Sequence, residues 1–325
     1  MGHQPAVSSK SPSSRRIAAS VVALLAGLAG CTATGEPECR IGADCPSGAC
    51  ADGHCVPASG TGGSAAGGGS VGGGGSSSTS GQAGAGGAGA QETCLPNEDG
   101  TIHQAEIPVQ VGLSAKFLAT QDAPVDTAGV TQGDGSRRWD LTGALPGDHL
   151  SLVETLSLEG KWYEGLFGGA SYAARLADSE ELLGVYQIAP DAVMLLGVVS
   201  PEDGLTRTEL TYEPPVTVFD FPLTEGKTWE TTSTVTGLAL GVAVFYTEAY
   251  DFHVDAHGVV VTPYAEFQVL RVHSELTRTV GVMPTTLQSH LFVTECFGTV
   301  ATMMSQDHEL STEFTTAAEI RRLSP

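Results

Sequence analysis

From residue 92 onward the apolar residues fall at alternate positions, not at the three-to-four spacing of a helix. The clearest stretch is 240–254. There Leu240, Val242, Val244, Tyr246, Tyr250, Phe252 and Val254 share one face at period two, and only Glu248 interrupts them. The spacing predicts a long strand, a turn over 255–258 and a return over 259–262. A second long strand is expected over 265–280, and one or two more over 287–304, around Gly298. Residues 182–188 and 192–199 flank Ala189, Pro190 and Asp191, which reads as a hairpin. Segments 205–212 and 216–221 follow, the second entered through Pro214 and Pro215. Thr, Val, Tyr and Phe dominate these runs, as strands require. Short helices are expected near 172–178 and 313–320, where a strand reading also stands. Residues 92–325 therefore read as an all-β domain: one large antiparallel curved sheet, a half-barrel or barrel of about ten strands.

The first ninety residues follow another pattern. Residues 1–16 carry Lys10, Arg15 and Arg16 and no acid, and 17–30 are apolar or small. That run is shorter than the roughly 20 residues a spanning helix needs, so 1–30 reads as a secretory signal. It closes on Leu28, Ala29, Gly30 and Cys31. These four residues resemble the lipobox of bacterial lipoproteins, with every position matched. The resemblance implies cleavage before Cys31 and diacylation of its thiol. Two acyl chains, at about 0.8 kcal/mol per buried CH₂, would hold a soluble body on a membrane. Thr32, by analogy with enteric lipoproteins, points to the outer membrane. Ser14, Arg15 and Arg16 also resemble a twin-arginine signal, although Ile17 and Ala18 lack its bulky pair.

The cysteine count fits this reading. Of seven cysteines, Cys31 takes the lipid, four cluster at Cys39, Cys45, Cys50 and Cys55, and Cys94 and Cys296 are left in the β domain. A stretch as short as 39–55 cannot bury a core and needs staples. Zinc usually takes cysteines two to four residues apart, whereas five separate Cys39 from Cys45. Two disulfides are expected instead, with three possible connectivities. The stretch resembles small cysteine modules that follow the anchor in surface lipoproteins of myxobacteria and their relatives, a resemblance that implies no activity. Cys94 and Cys296 are expected to pair. In the chain-entropy view, closing so long a loop stabilises by roughly 4–5 kcal/mol.

Residues 59–91 are almost entirely Gly, Ser, Ala and Thr and carry no charge. Nothing there can bury side chains, so the segment reads as a disordered linker spanning roughly 30 Å. Its Gly84, Gly86 and Gly89 match a nucleotide-loop spacing, but no strand precedes them and no helix follows. The organisation is thus a signal over 1–30, a lipid-anchored cysteine-rich module over 31–58, a linker over 59–91 and the β domain over 92–325.

Charge narrows the possible partners. The formal charge is −22, and all of it lies after Gln91, where 33 acids face 11 Lys and Arg. That balance disfavours nucleic acid and anionic membrane surfaces. It suits plain solubility, a cationic partner or a bound divalent cation.

Chemical motifs are few. Outside the Gly/Ser linker the chain has no Gly-x-Ser-x-Gly elbow, and it has no P-loop or paired acidic metal loop. His308 and Glu309 begin like a zincin helix, but Thr312 stands where the second His belongs. Asp251, His253, Asp255 and His257 would share a strand face, which permits a metal geometrically; they are expected instead to form the polar face of a hairpin. Trp139, Trp162 and Trp229 are expected in the core. Glu248 is the one candidate ligand residue. In a cavity it could bind or transfer a proton, whereas a β-bulge would turn it to solvent. No catalytic residue, metal or cofactor is expected.

Phe221 to Trp229, Thr262 to Phe267 with Val269 to Val272, and Phe297 to Val300 together resemble secreted bacterial β proteins whose distant relatives look like lipoprotein-carrier half-barrels. The resemblance implies a concave face that takes acyl chains. Three functions follow. The first is a non-catalytic surface module on a tether, facing the outside or the periplasm and binding a protein, glycan or envelope component. The second is a carrier of an apolar lipid or acyl ligand. The third is a hydrolytic enzyme without a recognisable motif.

Overall fold

The computed structural model describes residues 94–325, together with the backbone of two short strands, β1 (Cys50–Ala51) and β2 (His54–Cys55). These two pair antiparallel, with Cys50 opposite Cys55. The signal over 1–30, Cys31, Cys39, Cys45 and the linker over 59–91 lie outside the described residues.

Residues 94–325 are all-β. The strands are β3 (Thr101–Ile102), β4 (Ser114–Pro124), β5 (Val130–Thr131), β6 (Arg137–Asp140), β7 (His149–Glu154), β8 (Tyr172–Arg175), β9 (Leu183–Ile188) and β10 (Ala192–Val199). They continue as β11 (Glu209–Asp220), β12 (Leu223–Thr224), β13 (Thr228–Ala239), β14 (Val242–Val261), β15 (Glu266–Val280), β16 (Met283–Thr294), β17 (Gly298–Ser305) and β18 (Thr316–Leu323). All but β3 and β12, which pair with each other, join one 14-stranded sheet in the order β7-β4-β18-β17-β16-β15-β14-β13-β11-β10-β9-β8, with β5 and β6 attached beside β14. The two ends of this order nearly meet. Leu156, just past β7, exchanges backbone hydrogen bonds of 2.7 and 3.0 Å with Ala173 of β8. The sheet is therefore nearly closed into a barrel, which removes most of its exposed edge.

Two hairpins make the tallest part of the wall. β13 and β14 turn at Leu240 and Gly241, and β15 and β16 turn at Gly281 and Val282. Strand direction puts both tips at one end of the barrel, here called the mouth. The turn from β16 to β17, containing Cys296, lies at the other end, the base.

Local chemistry explains where the strands depart from the sequence pattern. The turn expected over 255–258 is absent, because β14 continues through it to Val261. Val254 faces Val272 but Ala256 faces Arg271, so Asp255 is an extra residue, a β-bulge. Gly258 marks a close approach and not a turn: a Cβ there would sit 1.8 Å from the Arg137 carbonyl of β6, which runs parallel to β14 at this point. The helices expected near 172–178 and 313–320 are strands β8 and β18. Both are buried on nearly every position, so neither shows a readable period. Pro214 and Pro215 lie inside β11. On β10 the pairing jumps from Thr211 to Val216, and on β13 it stops at Glu213, so no ladder bond needs the N–H that proline lacks.

The core is aromatic and aliphatic. Trp229 stacks on Phe252 with ring centroids 5.1 Å apart, and Trp139 meets Phe292 edge-on at 4.9 Å. Each such side chain contributes roughly 1.5–3 kcal/mol when fully buried. The indole N–H groups of Trp139, Trp162 and Trp229 donate to the carbonyls of Thr127, Ser200 and Thr217. All three tryptophans are thus built into the fold.

Cys94 and Cys296 are disulfide-bonded. The same corner is tied by hydrogen bonds. Cys296 N–H donates to the Glu106 carbonyl at 2.7 Å, and the Asn97 N–H donates to the Glu295 carboxylate. The start of the domain is thereby fixed to the base of the barrel.

Candidate functional site

The site is best built from the wall of the barrel inward. Cross-strand neighbours in an antiparallel pair share a face. Register places Ser233 opposite Glu248, Glu248 opposite Arg278 and Arg278 opposite Thr285. Val235, opposite Tyr246, also faces Tyr212. One inward-facing patch near the mouth therefore carries Glu248, Arg278, Tyr212 and Tyr246, with Tyr250 directly below.

Glu248 is fully buried. One carboxylate oxygen accepts from Arg278 Nε at 2.7 Å, and the other accepts from the Tyr250 hydroxyl. Tyr212 hydrogen-bonds to the same carboxylate and to Tyr246, and the Arg278 guanidinium lies 5.4 Å over the Tyr246 ring. Burial works against the Arg278 charge, but the adjacent carboxylate outweighs it and holds the guanidinium more firmly protonated than usual. Burial and then the Glu248 charge push Tyr212 and Tyr250 well up and Tyr246 to about 12. All three phenols therefore stay protonated at neutral pH. The bulge at Asp255 turns no side chain of this patch outward, so Glu248 faces the interior.

Above this patch the barrel opens into a cleft of about 930 Å³. Arg278 and Tyr246 reach its wall, while Glu248 sits one step deeper. Ala239, Val244, Leu287 and Met304 are among its apolar lining residues, with Phe245 and Val280 exposed at the rim. Asp122, Glu180, Asp307 and Glu319 also line it, Glu319 directly opposite Met304 in the β17–β18 ladder. Glu319 is itself committed: Arg321 donates to it at 2.6 Å, and the Asp178 and Ser179 N–H groups at 3.0 and 3.2 Å. Below the cleft the interior is filled by side chains, including the stacked pair Tyr172 and Tyr186.

A second charged cluster lies on the outer face. Arg271, almost fully buried, binds Asp255 at 2.7 and 2.9 Å and Glu313 at 2.7 and 3.1 Å, and lies over the Trp139 ring. Burial opposes ionisation of Glu313, but Arg271 wins and draws it down to about 2. Beneath it His290 is wholly buried, with Nε2 donating to the Thr312 carbonyl at 2.9 Å. Burial and then the Arg271 charge push His290 down to about 3, so it is neutral. This cluster fastens the loop 306–315 to the sheet.

Asp251, His253, Asp255 and His257 do not come together as ligands. Asp255 is taken by Arg271, His257 contacts Glu225 at 2.8 Å, and Asp251 and His253 are exposed. Among the described residues no group of three or more His, Cys, Asp or Glu side chains could hold a metal. His308 and Glu309 lie in the loop after β17, not on a helix. Arg278, Glu319 and Arg321 carry no sequence signal of their own; only strand register reveals what they face. No protein-family model, curated protein or solved structure matches the chain.

Proposed function

We propose that the chain is a lipid-anchored envelope protein that displays a non-catalytic binding domain on a flexible tether and holds its ligand in the mouth of the barrel. The observation that carries this reading is the cleft of about 930 Å³ at the mouth. Small-molecule sites occupy roughly 300–1,000 Å³ and often sit in the mouths of β-barrels. The apolar residues Ala239, Val244, Leu287 and Met304 among its lining favour a ligand with an apolar part over a flat protein contact. Arg278 and Glu319 at the cleft are tied into ion pairs, and among the described residues no nucleophile stands beside a base, which supports binding over catalysis. Native mass spectrometry of the full chain carrying Cys31→Ser, which removes the anchor and leaves the domain intact, tests the reading. A co-purified or added small ligand, lost when Val244→Trp fills the cleft, is the expected result. A protein that binds nothing, or binds equally well with the cleft filled, would overturn it.

A further inference from the structure

The two hairpin tips at the mouth are apolar, exposed and without a charged residue. Leu240, Val242 and Phe245 stand exposed on the β13–β14 tip, and Val280, Val282 and Met283 on the β15–β16 tip. No Asp, Glu, Lys, Arg or His occurs from 231 to 247 or from 279 to 289, in a domain that holds 33 acids. The tips are neighbours, because Thr247 of one hairpin pairs with Thr279 of the other. The first charges below that pair, Glu248 and Arg278, bind one another at 2.7 Å. Leu205, also exposed, lies beside the first tip: a Cβ on Gly241 would sit 2.1 Å from its carbonyl. The same loop carries Glu202 and Asp203.

The second tip stands clear of the acidic loop after β17. That loop, with Asp307, is fastened to β16 where the His308 N–H donates to the Thr286 carbonyl at 2.8 Å. Thr286 lies four residues from Val282, about 13 Å along an extended strand. Apolar groups at a bilayer surface reach roughly 5–10 Å into the boundary between headgroups and acyl chains. The tip can enter to that depth with Asp307 still in water.

We infer that the two tips dock the mouth of the barrel onto the surface of an electrically neutral lipid bilayer. Exposed apolar clusters rimmed by polar residues mark protein or membrane contacts, and a second copy of the chain suits this one poorly. A stable protein interface takes roughly 20–30 residues a side, and 239–245 with 280–283 supply roughly half of that at most. Two copies at −22 each would also repel. The same charge, with Glu202 and Asp203 beside the first tip, disfavours anionic lipid. The tips themselves need hydrocarbon and no counter-charge. Phe245 and Val280 line the cleft as well, so docking sets its opening against the acyl region. Docking requires neither a ligand in the cleft nor an acylated Cys31.

The test uses the full chain carrying Cys31→Ser and a tryptophan reporter, Phe245→Trp, with vesicles of phosphatidylcholine brominated near the top of its acyl chains. The reporter is local, so vesicle binding through another part of the chain leaves it unmoved. Emission from position 245 is expected to shift to the blue and to be quenched on adding vesicles. The same reporter placed by Leu150→Trp, on exposed β7, should stay unquenched. Adding Val282→Lys to the first reporter should weaken vesicle binding about tenfold or more. Phosphatidylglycerol mixed into the vesicles should weaken it too, and salt should restore it. No quenching at 245 with any vesicle, equal quenching at 245 and 150, or tighter binding to the anionic vesicles would overturn the inference. So would a blue-shifted reporter at 245 before vesicles are added, with sedimentation velocity then telling a second copy from coverage by the chain itself. All of these outcomes leave the ligand reading of the cleft standing, because that reading is tested by mass spectrometry without vesicles.

Discussion

Glu248 on β14 and Arg278 on β15 face each other across the sheet, and their side chains meet at 2.7 Å in the interior of the barrel. Removing one partner of such a pair leaves the other charge buried alone. Glu248→Ala and Arg278→Met should each cost about 3–5 kcal/mol. The double variant should cost less than the sum, because neither charge is then stranded. Urea denaturation midpoints of the three variants measure this. Additive losses would mean that the two charges do not interact as the geometry indicates.

The disulfide between Cys94 and Cys296 closes nearly the whole domain. Iodoacetamide should label neither thiol before reduction under native conditions. Replacing both by serine should lower stability by about 2–5 kcal/mol. Mass spectrometry of labelled peptides and denaturant unfolding supply the two readouts.

His290 makes stability depend on pH. Its ordinary value is 6.5, and burial with the nearby Arg271 charge holds it at about 3 in the folded chain. Between those values the unfolded chain carries a proton that the folded chain lacks. Stability is therefore full above the unfolded value and falls as the pH drops through this window, by up to about 1.4 kcal/mol per pH unit. Glu313, drawn from 4.5 to about 2, adds a loss in the same direction at lower pH. His290→Gln keeps a donor for the Thr312 carbonyl and cannot titrate. Its stability should change less than that of the parent between pH of about 7 and about 5, as read by urea unfolding.

The hairpin tips should tolerate charge. Phe245 and Val282 are 72% and 90% exposed. Phe245→Lys and Val282→Lys should leave stability within about 0.5 kcal/mol, as for other surface substitutions. They should also reduce binding of a hydrophobic dye, because they break up the apolar rim. Thermal unfolding and dye fluorescence separate the two effects.

The proposed anchor has a simple assay. The mature chain should partition into the detergent phase of a Triton X-114 extraction, and the Cys31→Ser chain into the aqueous phase. Two acyl chains dominate such partitioning over a soluble body.

Alternation along β14 and its neighbours, which have one face inward and one outward, made the β class legible, and the Ala189, Pro190 and Asp191 break made the β9–β10 hairpin legible. Alternation failed at β8 and β18, where both faces are covered. The candidate site was half legible. Glu248 stood out because a carboxylate interrupts an apolar face. Its partner did not, for a reason that lies in register. Counting back from the pair Val261 and Glu266 would place Thr279 opposite Glu248. The single extra residue at Asp255 slides the ladder by one and brings Arg278 there instead. Asp255 is also the residue that binds Arg271, so the bulge is held open by an ion pair 16 positions away in sequence. Neither fact is visible until the strands are paired.

The fastening of residues 97–106 to the turn after β16 has a mechanical meaning. Strand β16 spans 12 residues, about 40 Å of extended chain, between that turn and the hairpin tip at the mouth. If the chain is tethered through its amino-terminal side, any tension acts on the foot of the barrel and not on its rim. The mouth, at the other end of β16, then carries none of that load.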